Sequence, residues 1–164
     1  MYFYCMISFD KKGNLKPFGA IQISVDEFED YFVRDFISST RAANFEKYVR
    51  YSRDLKKITG GKPLKQWING SFVTKKTNPK DIDLVTFLDH GHFVKLGTKL
   101  NIFKPRLSWE HYGVDAYLVE VFPASSKHAK YTAHDKAEWL DLFTTSRPNR
   151  QGERFGKGFL EIFY

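Results

Sequence analysis

The hydrophobic period changes across Thr59-Gly60-Gly61-Lys62-Pro63, which limits the chain to folds that combine helices with a sheet. Upstream, Ser24-Val25-Asp26-Glu27 has the spacing of a capping box, with serine hydroxyl and glutamate carboxylate each meeting a backbone amide. Phe28, Tyr31, Phe32 and Phe36 then recur at helical spacing. A second helix is expected over 41–58, buried through Phe45, Tyr48, Val49 and Leu55. Lys47, Arg50, Arg53 and Lys57 fall mostly off that stripe, toward solvent or an anion. Downstream the pattern becomes strand-like. Residues 64–70 and 81–88 are short runs rich in Ile, Leu, Val and Phe. Residues 114–122 are apolar on both faces and are expected to form a central strand. A helix over 133–143, capped by Thr132 with Asp135 three residues on, and a closing strand over 158–164 follow. An opening strand over 2–8 precedes a turn at Lys12-Gly13-Asn14. Helices before, between and after strands predict an α/β (α+β) fold, a mixed sheet flanked by helices.

The 164 residues, without repeats or a Ser/Gly/Pro-rich linker, suit a single domain spanning 1–164. Hydrophobic residues at 42% supply a core, and 27% charged residues spread along the chain exclude fibrous and disordered classes. The single cysteine, Cys5, has no partner for an internal disulfide and is expected as a small buried hydrophobe. That composition, with no signal peptide or membrane-length apolar run, predicts a reducing, cytoplasmic setting. Asn69-Gly70-Ser71 matches a glycosylation sequon, which such a setting makes irrelevant. A formal net charge of +7 points weakly to an anionic partner. Its distribution says more: 24–37 is acid-rich, whereas 41–65 carries eight Lys and Arg against Glu46 and Asp54.

Chemistry concentrates between the second helix and the third expected strand. Asp81 and Asp83 are two apart on an expected strand, so both side chains leave one face while Ile82 and Leu84 enter the core. Two carboxylates so placed repel, unless a divalent cation or a base offsets them. A hard cation such as Mg²⁺ takes oxygen ligands and leaves positions for phosphate and water. Gly70-Ser71 ends the preceding strand, where glycine lets the backbone approach a phosphate and the serine hydroxyl can bond it. Either pair alone is ordinary turn material. Together, with nine residues between Ser71 and Asp81, they are specific.

Trp67-Ile68-Asn69-Gly70-Ser71 followed by Asp81-Ile82-Asp83-Leu84 resembles the nucleotidyltransferase superfamily related to DNA polymerase beta. More narrowly, Gly70 through Lys76, Pro79 through Asp83, Ser39-Thr40-Arg41 and Gly156 through Ile162 resemble a small uncharacterised bacterial and phage family, DUF6932-like. The resemblance covers most of the chain. It implies a third carboxylate on a neighbouring strand completing a two-ion Mg²⁺ (or Mn²⁺) site, for which Asp115 is the candidate. Glu120 falls on the opposite face by parity. The implied site is then Asp81, Asp83 and Asp115 as metal ligands and catalytic groups, with Asp115 nearest the acceptor hydroxyl. Gly70 and Ser71 meet the nucleotide, and Lys75 and Lys76 are candidates to reach its phosphates as point charges.

The implied activity is transfer of NMP from an NTP to a hydroxyl of RNA, protein or a small molecule. The basic helix favours RNA or another anionic acceptor, and the resemblance extends to toxin–antitoxin and phage-defence settings. The alternative is a non-catalytic module of the same fold that binds a protein partner or nucleic acid; a homodimer is a further expectation. Other residues are weaker candidates. Asp89-His90-Gly91-His92 lacks further ligands at zinc spacing. Trp67, Trp109 and Trp139 could each stack a base, although core packing explains them as well.

Overall fold

A five-stranded mixed sheet organises the chain, in the order β3-β7-β4-β5-β6. The computed structural model describes residues 7–164. The expected strand over 2–8 and the burial of Cys5 therefore lie mostly outside the described residues; Ser8–Phe9 (β1) pairs with Leu15–Lys16 (β2) as a short ribbon. The main sheet comprises Gly19–Gln22 (β3), Lys65–Asn69 (β4), Asp83–Asp89 (β5), Asp115–Val121 (β6) and Gly158–Phe163 (β7). β4 runs antiparallel to both neighbours, while β3 parallels β7 and β5 parallels β6. This is an α+β fold, and among the described residues no helix is long and apolar enough to cross a membrane.

The capping box at Ser24 forms: Glu27 N–H donates to the Ser24 hydroxyl at 3.1 Å, and Ser24 N–H to the Glu27 carboxylate at 2.7 Å. It starts Val25–Glu29 (α1), which loosens into a π-turn over Asp30–Arg34 and buries Phe28 and Phe32. Arg41–Ile58 (α2) then crosses one sheet face. Phe45, Tyr48 and Leu55 are buried as expected, joined by Tyr51 and by polar Asn44 and Ser52. Between α2 and the sheet, Gln66 accepts from Tyr48 Oη at 2.8 Å and donates to Ser52 Oγ at 3.0 Å and Thr86 Oγ1 at 3.2 Å. A buried amide is tolerated there because both its ends are bonded. The link from β5 to β6 runs through His90–Leu96 (α3), a 3₁₀ segment over Gly97–Phe103, and Leu107–Tyr112 (α4).

Ala129–Thr144 (α5) covers the other face, above Trp67, Val85, Val119 and Phe159. Two expectations change here. Among the described residues β6 is an edge strand, hydrogen-bonded only to β5. Its double-sided apolarity comes from α4 and the 3₁₀ segment on one side and α5 on the other. The last helix begins at Ala129, so Thr132 is internal to it. Its hydroxyl donates to Glu120 O at 3.0 Å and accepts from Phe122 N–H at 2.9 Å, closing the free end of β6.

Candidate active site

Three strand ends meet in register at one corner of the sheet: Asn69 pairs with Asp83 across β4–β5, and Asp83 with Asp115 across β5–β6. All three lie on the α5 face, in step with Trp67, Val85 and Val119. Asp81 lies just before β5, outside it, so strand parity unites Asp83 with Asp115 rather than with Asp81. The turn after β4 explains its glycine. Gly70 has φ 75° and ψ −165°, and a Cβ there would stand 1.7 Å from Asp83 Oδ2. Only a residue without a side chain admits the carboxylate.

The corner carries strong fields. Burial raises the Asp83 carboxyl first, then the charges of Asp81 and Asp115, to about 6; Arg147 and Lys157 pull the other way. Asp115 is also raised, by burial and then by Asp81, against the lowering influence of the Tyr117 hydroxyl. Burial chiefly, and then both carboxylates, push the Tyr117 phenol up. Lys157 is lowered by its own burial and by Arg147 and Arg154, while Asp83 raises it. Carboxylates and cations thus face each other without neutralising contact.

Between them is a cavity of about 520 Å³. Asn69, Gly70, Asp83 and Asp115 line it from the ends of β4, β5 and β6, and Arg147, Arg154 and Lys157 from the segment between α5 and β7. Tyr117, Trp139 and Leu142 form an apolar wall, with the Tyr117 and Trp139 rings 4.7 Å apart and tilted. Asn69 is buried, donating to Phe143 O at 3.3 Å, and its Oδ1 has no partner among the described residues. The sequon asparagine is therefore inaccessible in the folded chain. Of the three tryptophans, Trp139 reaches the cavity, Trp67 is core with Nε1 donating to Glu161 at 2.8 Å, and Trp109 is half-exposed.

Ser71, Asp81, Lys75 and Lys76 do not line this cavity. Lys75 packs beside Gly13, with its N–H donating to Gly13 O at 3.0 Å and its ammonium 5.9 Å from the Phe9 ring centre. Their loop is shaped from below by buried Arg41, whose guanidinium donates to Phe32 O, Phe72 O, Thr74 O and Lys76 O at 2.6–2.8 Å. Asn78 Oδ1 accepts from Ser39 N–H at 3.0 Å, and Pro79 O accepts from Thr40 Oγ1 at 2.7 Å and Asn44 Nδ2 at 3.0 Å. The segment 38–44 is thus a frame for the loop between Gly70 and Asp81. Asp89, His90 and Glu120 are remote from the carboxylate corner, at the far end of β5 and β6, where His90 Nδ1 meets Glu120 Oε1 at 2.6 Å.

Among the described residues, no group of three or more His, Cys, Asp and Glu forms a ready metal cluster. Asp83 and Asp115 are nonetheless a hard-oxygen pair, held side by side with Asp81 near enough to raise both. That donor chemistry fits a cation such as Mg²⁺, whose positive charge would relieve the crowding.

The fold and site define a mixed α+β protein with a carboxylate-and-cation cavity at a sheet corner. The chain belongs to DUF6932, a family of unknown function, which it matches over residues 7–163. Neither a curated protein nor a solved structure matches it.

Proposed function

We propose that the chain is a Mg²⁺-dependent nucleotidyltransferase, moving NMP from an NTP to a hydroxyl of RNA, protein or a small molecule. One observation carries this reading. Asp83 and Asp115 stand side by side on parallel strands, at a cavity that Arg147 and Lys157 also line. A structural pair of buried carboxylates would have hydrogen-bond donors of its own; Asp83 has no side-chain hydrogen bond or ion pair among the described residues.

Asp83, Asp115 and Asp81 would hold the divalent cation, which when bound supplies positive charge to the phosphoryl oxygens as they react. Asp115, beside the Tyr117 hydroxyl on the edge strand of the sheet, would accept the proton of an acceptor hydroxyl. Burial first, and then Asp81, raises its pKa, which makes its carboxylate a stronger base than a free one. Gly70 leaves room for the Asp83 carboxylate, and residues of α5 and the segment 145–157 line the pocket beside it.

The test is a melting curve with ATP, GTP, CTP or UTP, each with Mg²⁺ or Mn²⁺. A ligand that binds only the folded chain raises Tm, and Asp83→Asn should remove the rise. Incubation with α-labelled NTPs and total RNA and protein then asks for label transfer that Asp83→Asn abolishes. Binding without transfer would leave the non-catalytic module as the better reading.

A further inference from the structure

The cavity's positive side comes from a segment outside the strands that bear the carboxylates. After α5 the chain runs out and back over 145–157 as an arm. Ser146 N–H bonds Phe155 O at 2.8 Å, Lys157 N–H bonds Thr144 O at 2.8 Å, and Thr145 bridges Gly156. At its tip Asn149 Oδ1 accepts from Gln151 and Glu153 N–H at 2.9 Å each, which shapes the turn without outside help. Lys157 is further anchored because its carbonyl accepts from Gly19 N–H at 3.3 Å, on the edge of the sheet. The arm is therefore a fixed platform for its cations.

Those cations differ in what they touch. Arg154 is engaged: its guanidinium meets Asp141 at 3.4 Å, Ser146 O at 3.3 Å, and the Thr145 hydroxyl. Arg147 and Lys157 line the cavity and have no side-chain hydrogen bond or ion pair among the described residues. Lys157 is half-buried, yet it does not close onto Asp83 across the space. Cations there only to offset the carboxylates would gain most by contact, so two uncommitted donors in the same cavity fit a third party between them and the carboxylates. A polyanion has the required charge: its phosphates can meet the cations directly and the carboxylates through a divalent cation.

We propose that Arg147 and Lys157 form the polyphosphate subsite of this cavity, so that the arm 145–157 binds the phosphates and the Lys75–Lys76 loop does not. The assignment rests on the nucleotidyltransferase reading for its substrate, a nucleoside polyphosphate, but can fail separately from it. Lys75 and Lys76 are outside the cavity, and their loop's carbonyls are turned toward Arg41. With the phosphates at Arg147 and Lys157, the Tyr117–Trp139 wall is left to the uncharged part of the ligand.

Calorimetric titration with inorganic tripolyphosphate in EDTA tests the subsite without metal or turnover. Asp83→Asn should bind it roughly ten-fold tighter than the native chain, because one repelling charge is gone while both cations remain. Adding Arg147→Gln and Lys157→Met to Asp83→Asn should lose at least about ten-fold, whereas adding Lys76→Gln should change nothing. Arg147 is exposed, so Arg147→Gln alone preserves the test should the combined variant unfold. Undiminished binding after loss of both cations, a loss on Lys76→Gln instead, or no binding by Asp83→Asn would each overturn the assignment. If tripolyphosphate binds as stated but no labelled NMP is ever transferred, the subsite stands and the transferase reading falls. Transfer that is indifferent to Arg147 and Lys157 has the opposite meaning: the transferase reading stands and the subsite falls.

Discussion

The two faces of the sheet are built to different standards. Against α2 the interior is closely packed: Tyr48, Tyr51, Leu55, Ile68 and Leu84 are fully buried, and the polar Gln66 between them is bonded at both ends. Against α5 the buried cluster among the described residues is five residues, only one of them, Phe143, from the helix itself. Leu140 and Leu142 on α5 are about half exposed, at 43% and 54%. The carboxylate corner opens on this second face. Stability is concentrated on the first face, which leaves the second free to keep an open cavity with unbalanced charge.

Arg41 gives the largest expected effect, because it ties the well-packed face to the site. It is completely buried, lies 3.8 Å from the Phe36 ring centre, and donates to four carbonyls with no carboxylate partner. Desolvation lowers its pKa to about 10, so it remains charged at neutral pH. Arg41→Ala would strand those carbonyls and should cost about 3–5 kcal/mol in a denaturant titration. Arg41→Lys should recover little, since an ammonium cannot span the same fork of acceptors. Leu140→Ala on α5, by contrast, should cost under about 1 kcal/mol. Equal losses at the two positions would end the distinction between the faces.

The same distinction explains what was legible in the sequence. Gly70 and Asp83 are close along the chain, so local pattern suffices for them; Asp115 is expected through the family resemblance, with strand parity only setting Glu120 aside. Arg147 and Lys157 come to the cavity because β7 pairs with β4 and the arm folds back over 145–157, and no local period encodes that pairing. The only signal was a run of Arg and Lys between α5 and β7. The apolarity of β6 suggested a central place because burial reads alike whether a strand or a helix supplies it. Arg41 looked like one more cation of a basic helix, and its first-turn position concealed that it points inward.

Gly70→Ala should have the next largest effect, by two separable routes. One is backbone strain, since φ 75° with ψ −165° is a region almost reserved for glycine, costing about 1–3 kcal/mol. The other is collision, with the new Cβ 1.7 Å from Asp83 Oδ2 and 2.6 Å from its Cγ. Repeating Gly70→Ala in an Asp83→Ala background removes the collision and keeps the strain. The cost should fall in that background without vanishing, as a double-mutant cycle by chemical denaturation would report. Strict additivity would mean that the carboxylate turns aside freely, and the glycine would then answer to the turn alone.

Asp83→Asn follows, with a change of the opposite sign. The Asp83 carboxyl is raised from 3.8 to about 6, so the folded chain holds that proton more tightly than the unfolded chain does. Between those two values the folded state binds more protons, and stability must fall as pH rises through the window. The penalty is absent below about pH 4 and complete by about pH 7, where it amounts to roughly 2 kcal/mol once solvent screening of a part-exposed group is counted. Asp83→Asn should therefore be more stable than the native chain at pH 7 in metal-free buffer, by about that amount, and the two should converge near pH 4. Asp115, raised in the same direction, leaves a shallower slope of the same sign in the variant. Mg²⁺ with an NTP should reverse the ranking at pH 7, stabilising the native chain and not the variant. A variant less stable than the native chain without metal would make Asp83 a structural acceptor, and the open face would then be held together by the group proposed to strain it.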